Sequence, residues 1–187
     1  LLIQAWHLES KRMGPDSPEV LELMNALSQL YLRTKEYKKA IQYSVPVIPK
    51  MEKEFGGSSM TLVSTLTTGG TALAQLRKCK DARPLLARAK AILEKTGKTK
   101  TQEYAEVLAS IGINETHDFK WNAAKPNLTK AIALYGSLYG ENHPNTIHMK
   151  KLYKVMYKRR NHVPGTTHSI LMTGDNIKFR PTDHYGK

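Results

Sequence analysis

One recurrence limits what this chain can fold into: helix-like segments return with a period of 42 residues. Ala40, Ala82 and Ala124 are spaced by that interval, and each follows an aromatic residue or cysteine by three positions. Two more sets of mostly small residues keep the spacing: Ser28, Gly70 and Gly112, then Val47, Ala89 and Ala131. A period of roughly 20–50 residues is typical of stacked repeats, which bury their apolar faces against one another.

The segment boundaries also recur, and they carry the residues that end and begin helices. Glycine favours the end of a helix, while Ser, Asp or Asn followed by Pro favours the start of the next. A small residue between two antiparallel helices lets them approach closely, and a bulky one there would cost roughly 1–3 kcal/mol. The sequence therefore predicts an all-α chain of stacked helical hairpins. The boundary segments are Gly14-Pro15-Asp16-Ser17-Pro18, Gly56-Gly57-Ser58 and Gly140-Glu141-Asn142-His143-Pro144.

The period divides the chain into an expected helical array, residues 1–160, and an irregular C-terminal extension, residues 161–187. In the array, residues 1–13 are expected to be the second helix of a repeat that begins upstream. Three complete hairpins, 15–56, 57–98 and 99–140, follow, and 142–160 is the first helix of another. That last helix has an apolar stripe at helical spacing: Met149, Leu152, Tyr153 and Met156.

Two details of this division leave alternatives open. Pro46 and Pro49 fall within the second helix of the first hairpin, so that helix either bends or is broken near Val45. The extension contains the apolar stretch 169–172, which either docks on the last helix or orders only on a partner. Its apolar residues favour docking, because the end of a helical stack needs a cap.

Three segments resemble tetratricopeptide repeats, in the 42-residue form of kinesin light chains: 23–31, Ala82-Arg83-Pro84-Leu85 and 139–144. The resemblance covers about residues 1–160 and implies a right-handed solenoid whose first helices line a concave wall. In that family, asparagines on this wall often grip the backbone of an extended peptide. Asn25 keeps this identity, whereas Thr67, Ala109 and Lys151 occupy the corresponding positions.

The helical register predicts which side chains face the concave wall, and the charge pattern predicts a basic end. Residues 143–187 carry nine Lys and Arg against two Asp. The predicted wall comprises Glu22, Asn25, Gln29, Arg33, Ser64, Thr67, Thr71, Gln75, Glu106, Ala109, Ile113, His117, His148, Lys151, Val155 and Arg159. The predicted basic patch comprises Lys150, Lys151, Lys154, Lys158, Arg159 and Arg160.

No catalytic or metal-binding pattern is present in the sequence. His143 and His148 are five residues apart, whereas two ligands on one helix face are four apart. Cys79 is the only cysteine, which excludes an internal disulfide and a multi-cysteine metal site. Gly69-Gly70 lies within a predicted helix, where close packing explains it better than a phosphate loop. We therefore expect no enzyme activity, metal, cofactor or small-molecule substrate.

The expected function is that of a protein-interaction scaffold in a larger assembly. A net charge of +13 favours an anionic partner such as an acidic protein surface, tubulin or RNA. Alternatives are a structural subunit of a ribonucleoprotein such as an organellar ribosome, a cytoskeletal or ciliary adaptor, and repeats attached to an upstream enzyme. No apolar run could span a bilayer and no signal peptide is visible. We expect an intracellular protein, in the cytoplasm, cytoskeleton, cilium or mitochondrion.

Overall fold

A computed structural model describes residues 2–160, except for the side chains of residues 159 and 160. This part of the chain is all-α. The predicted extension, including the stretch 169–172, lies outside the described residues. The helices are α1 Leu2–Met13, α2 Pro18–Arg33, α3 Tyr37–Ser44, α4 Ile48–Phe55, α5 Met60–Gln75, α6 Cys79–Lys95, α7 Gln102–His117, α8 Trp121–Tyr139 and α9 Pro144–Arg160, with a 3-10 turn, Val45–Val47, between α3 and α4.

The helix starts repeat the period of the sequence. Helices α2, α5, α7 and α9 begin at residues 18, 60, 102 and 144, each 42 after the last. Helices α3, α6 and α8 begin at 37, 79 and 121, with the same interval. Three-residue turns join α2 to α3, α5 to α6 and α7 to α8, and connections this short produce antiparallel neighbours.

The first helix of each hairpin begins at an equivalent capping residue. The side chains of Ser17, Ser59 and Thr101 accept hydrogen bonds from the backbone N–H three residues later, at 3.1–3.4 Å. These bonds satisfy amides that the helix itself leaves without a partner. At the start of α9, the fourth first helix, the N–H of Asn145 donates to His143 Nδ1 at 3.3 Å. His143 therefore caps α9, which agrees with the structural role that its boundary position indicated.

The turns within the hairpins share one backbone conformation. Lys35, Arg77 and Phe119 have φ values of 62°, 59° and 59°, in the left-handed region. The N–H of the next residue bonds each time to a carbonyl five residues before it, at 2.8–2.9 Å. This closes the first helix and directs the chain back along it. All three turns therefore have the same geometry despite unlike side chains.

Close approach within the hairpins depends on matched residue sizes. A Cβ placed on Gly112 would lie 2.5 Å from Leu128 Cγ, and one on Gly70 would lie 2.7 Å from Leu86 Cγ. In the first hairpin both positions are serines, Ser28 and Ser44, and both are fully buried. Each serine hydroxyl donates to a backbone carbonyl of its own helix at 2.7 Å. The second and third hairpins thus pair a glycine with a leucine, whereas the first hairpin pairs two serines at the same positions.

The prolines of the first hairpin break its second helix, which is one of the two alternatives that the sequence left open. The break is the 3-10 turn Val45–Val47, and helix geometry resumes at Ile48. Pro84 and Pro126 also lie within second helices, yet α6 and α8 run without interruption. The helix is therefore broken where two prolines are three residues apart, and single prolines near the helix start are accommodated.

A continuous apolar core extends from α2 to α9. Leu21 lies at one end of it and Tyr157 at the other, and Leu62, Leu93 and Leu108 lie between them. Along this core α2 contacts α5, α5 contacts α7 and α8 contacts α9. Three of the four stripe residues of α9 are buried, and Leu152 packs against them. The C-terminal helix is therefore part of the fold.

Candidate binding cleft

A cleft of about 310 Å³ opens between α2, α5 and α7, and one residue of α8 also lines it. It lies on the first-helix side of the hairpins, where the register predicted a concave wall. Threonine and serine hydroxyls of α5 form much of its lining, and Leu32, Val63 and Tyr135 add apolar surface. Seven predicted wall residues line it: Gln29, Arg33, Ser64, Thr67, Thr71, Glu106 and Ala109.

The other predicted wall residues do not line this cleft. Gln75, Ile113, Asn25 and His117 are partly buried on the same helices. Four of the predicted wall residues, on α2 and α9, are exposed. The side chain of Arg159 lies outside the described part. The exposed predicted residues are Glu22, His148, Lys151 and Val155.

Several predicted wall residues hydrogen-bond to the neighbouring first helix. Gln29 Nε2 donates to Ser64 Oγ at 2.9 Å, linking α2 to α5. Thr71 and Ser110 hydroxyls lie 2.7 Å apart, linking α5 to α7. The bonded residues are separated by 35 and 39 positions in the sequence. No local sequence pattern therefore predicts these bonds. They hold the helices at a fixed spacing, which keeps the cleft open.

Two further contacts join neighbouring first helices, one near the middle of α2 and α5 and one at the ends of α5 and α7. Asn25 Oδ1 lies 3.1 Å from the Thr65 hydroxyl. His117 Nδ1 lies 2.7 Å from the backbone carbonyl oxygen of Ala74, so this nitrogen carries the proton. Asn25 is the asparagine that the family resemblance assigned to peptide binding. Here its side-chain oxygen is engaged within the fold.

One side of the cleft is acidic and contains a buried phenol. Tyr135 is 6% exposed and lies on α8, a second helix, so the first-helix register did not predict it. Burial, with the nearby negative charge of Glu106, raises the pKa of Tyr135 well above its usual value. A phenol is protonated at neutral pH even at its ordinary pKa, so the hydroxyl can donate a hydrogen bond. Glu106 itself accepts a hydrogen bond from Gln102 Nε2 at 2.7 Å.

The opposite side of the cleft is basic. Arg33, the last residue of α2, is exposed and lines it. Glu103 and Glu106 lie across from it on α7. Between them, the hydroxyls of Thr67 and Thr71 donate to carbonyls of their own helix at 2.7 Å, so their oxygens can accept hydrogen bonds. The cleft thus offers partners for a polar chain that carries both charges, which is the chemistry of a binding surface.

The predicted basic patch on α9 is divided by the structure. Lys150 pairs with Glu141 and is partly buried. Lys151, Lys154 and Lys158 are exposed. The side chains of Arg159 and Arg160, also predicted for this patch, lie outside the described part.

The single cysteine is a packed residue. Cys79 is 7% exposed at the start of α6, and desolvation raises the pKa of its thiol. A raised pKa leaves little nucleophilic thiolate near neutral pH. Within residues 2–160, no three His, Cys, Asp or Glu side chains are grouped so that they could hold a metal ion.

No model of a known protein family matches the chain, and a search of curated proteins finds no significant match. Among the described helices, none combines the length and apolar character needed to cross a bilayer.

Proposed function

We propose that this chain is a non-enzymatic protein-interaction scaffold built as a right-handed solenoid of tetratricopeptide-type hairpins. The 42-residue recurrence of helix starts supports the solenoid, as does the contact of α2 with α5 and of α5 with α7. Stacked hairpins present one long wall of first helices, which suits an extended partner. The partner is a segment of another protein in a larger assembly.

The cleft between α2, α5 and α7 carries this proposal. An extended peptide presents alternating N–H and C=O groups. The Thr67 oxygen can accept from a peptide N–H, because its own proton bonds to the carbonyl of Val63 at 2.7 Å. The Ser64 hydroxyl accepts from Gln29, and its proton can be donated to a peptide C=O. Arg33 on one side and Glu106 on the other supply charges of opposite sign. Helix-to-helix hydrogen bonds fix these groups before binding, which lowers the entropy lost on association.

The exposed lysines of α9 extend the proposed interaction surface. Lys151 and Lys154 lie on its solvent side, whereas Met149, Tyr153 and Met156 face the core. We propose that these lysines attract an acidic protein partner. Such electrostatic attraction acts mainly on the association rate.

Selection of linear peptides from a random library tests the cleft directly. Thr67→Tyr would fill it, because Thr67 is partly exposed and lines the cleft. Ala91→Tyr places the same side chain on the exposed face of α6, outside the cleft. We expect selected peptides to lose about tenfold or more in affinity for the Thr67 variant, roughly 1.4 kcal/mol, and to keep it for the Ala91 variant.

Equal binding of the peptides to both variants would place the binding surface elsewhere. A library that yields no binder to the unaltered chain would also reject the cleft as a peptide site. Circular dichroism of each variant establishes that the helices are retained.

A further inference from the structure

The turns within the three hairpins concentrate positive charge. The segments 33–39, 77–83 and 118–125 contain ten Lys and Arg against three acidic residues, a net charge of +7 out of +13 for the chain. The basic residues are Arg33, Lys35, Lys38, Lys39, Arg77, Lys78, Lys80, Arg83, Lys120 and Lys125. We call these three segments the turn edge.

The fold places the three turns beside one another. Arg83 pairs with Asp118 at 2.7 Å, which connects the second turn to the third. Leu76, at the start of the second turn, lines a depression formed otherwise by residues 35–39 of the first. The side chain of Asn114 donates to the carbonyl of Cys79 at 3.3 Å, also between neighbouring hairpins. The turn edge is therefore a single surface.

The acidic residues of the turn edge are mostly neutralised within it. Glu36 pairs with Lys39 at 2.6 Å, and Asp118 pairs with both Lys120 and Arg83 at 2.7 Å. The hydrogen bond from Lys39 lowers the pKa of Glu36, and that from Lys120 lowers the pKa of Asp118. Other cations of the edge are exposed, and no ion pair joins them to another residue within 2–160. These are Arg33, Lys35, Lys38, Arg77, Lys78 and Lys80.

The connections between hairpins, on the other edge, have no such excess. Segments 9–19, 50–59, 94–103 and 139–143 hold seven basic and eight acidic residues, a net charge of −1. The charge of the described helices is thus distributed unevenly. Neighbouring helices lie about 8–10 Å apart, which is close to the Debye length of about 10 Å at 0.1 M salt. The fields of adjacent turns therefore overlap.

An aromatic ring projects from this basic surface. Phe119, at the tip of the third turn, is 70% exposed. It occupies the left-handed position that Lys35 and Arg77 hold in the other turns. An exposed ring contributes nothing to the core, whereas it offers a face on which a base can stack.

From these observations we propose that the turn edge binds single-stranded RNA. Lysines and arginines repeated along an edge match the regular charges of a phosphate backbone, and binding releases counterions. Phe119 supplies a stacking platform at one end, which an acidic protein surface would not require. This surface lies apart from the peptide cleft except at Arg33, so it can be tested independently.

Fluorescence anisotropy with labelled oligouridine, measured over a series of salt concentrations, tests the proposal. One variant changes Lys35, Lys38, Lys78 and Lys80 to Gln. Its control changes Lys53, Lys95, Lys98 and Lys100 to Gln, which removes the same charge from the other edge. We expect the turn-edge variant to lose about tenfold or more in affinity, with a shallower dependence of log K on log salt. The control should stay within about threefold.

The aromatic contribution is measured separately. Phe119→Ala should weaken binding about fivefold or more without changing the salt dependence, and Phe119→Trp should retain it. Equal losses in both lysine variants would show an effect of net charge alone and overturn the proposal. The proposal would also be overturned if oligouridine did not bind at low salt. It would be overturned as well if polyglutamate bound with the same affinity as oligouridine and Phe119→Ala did not weaken that binding. Thr67→Tyr, which fills the cleft, should leave RNA binding unchanged.

Discussion

At the scale of single residues, the fold depends on paired side-chain sizes inside each hairpin. Gly112 faces Leu128, Gly70 faces Leu86, and the first hairpin has serines at both positions. Because interiors are close-packed, a larger residue on one side requires a smaller one on the other. The same period therefore tolerates different residues, provided that both members of a pair change.

Gly112→Ala should destabilise the protein by about 1–3 kcal/mol, since the added methyl group would meet Leu128 within the hairpin. Urea denaturation followed by circular dichroism measures the change in the free energy of unfolding. Gly57→Ala is the matched control, because its Cβ would meet only Glu52 Oε1 at an ordinary 3.5 Å. The control should change stability by no more than about 0.5 kcal/mol. Equal effects at both glycines would contradict the size pairing.

At the scale of helices, α9 shows how a segment rich in lysine joins the fold. Met149, Tyr153, Met156 and Tyr157 are buried on one side, and the lysines lie mainly on the other. The Thr116 hydroxyl of α7 lies 3.9 Å from Met156 Sδ, so α9 also reaches the preceding first helix. The apolar stripe therefore attaches the basic helix to the core.

Met156→Ala should lower the free energy of unfolding by about 2–5 kcal/mol, because it leaves a cavity beneath α9. Val155→Ala, at the adjacent position that is 49% exposed, should change it by no more than about 0.5 kcal/mol. Urea denaturation compares the two. If Met156→Ala were as mild as Val155→Ala, the docking of α9 described here would be wrong.

At the scale of the whole molecule, burial is uneven along the array. Helix α5 has ten buried residues, whereas α1 has none. The contact of α1 with the rest includes Trp6, which lies edge-on to Tyr43 with ring centroids 5.8 Å apart. Local stability follows buried apolar contact, so the N-terminal helix should open before the centre.

The two tryptophans report on this difference, because Trp6 lies in α1 and Trp121 begins α8. Trp121→Phe and Trp6→Phe each leave one of them as a fluorescent probe. In urea, the Trp6 signal should change first, with an opening free energy at least about 1 kcal/mol below that seen by Trp121. Circular dichroism checks that neither substitution alters global stability. Coincident transitions would show instead that α1 unfolds together with the core.

The sequence by itself determined the all-α class, the 42-residue recurrence of helix starts and the apolar face of α9. These depend on local chemistry: Ser17 and Ser59 cap helices through amides three residues away, and small residues recur wherever helices cross. Pro46 and Pro49 indicated a disturbed helix, but their local effect fitted either a bend or a break. The structure shows the break.

Only the tertiary structure decided what these helices present to a partner. The register placed Gln29 and Thr71 on an exposed wall, yet both bond across to the next helix. Tyr135 enters the cleft from α8, and the charged turns come together only through stacking. The physical reason is range. Helix formation follows from neighbours three or four positions apart, whereas a surface depends on residues about 40 positions apart that the helical stack brings together.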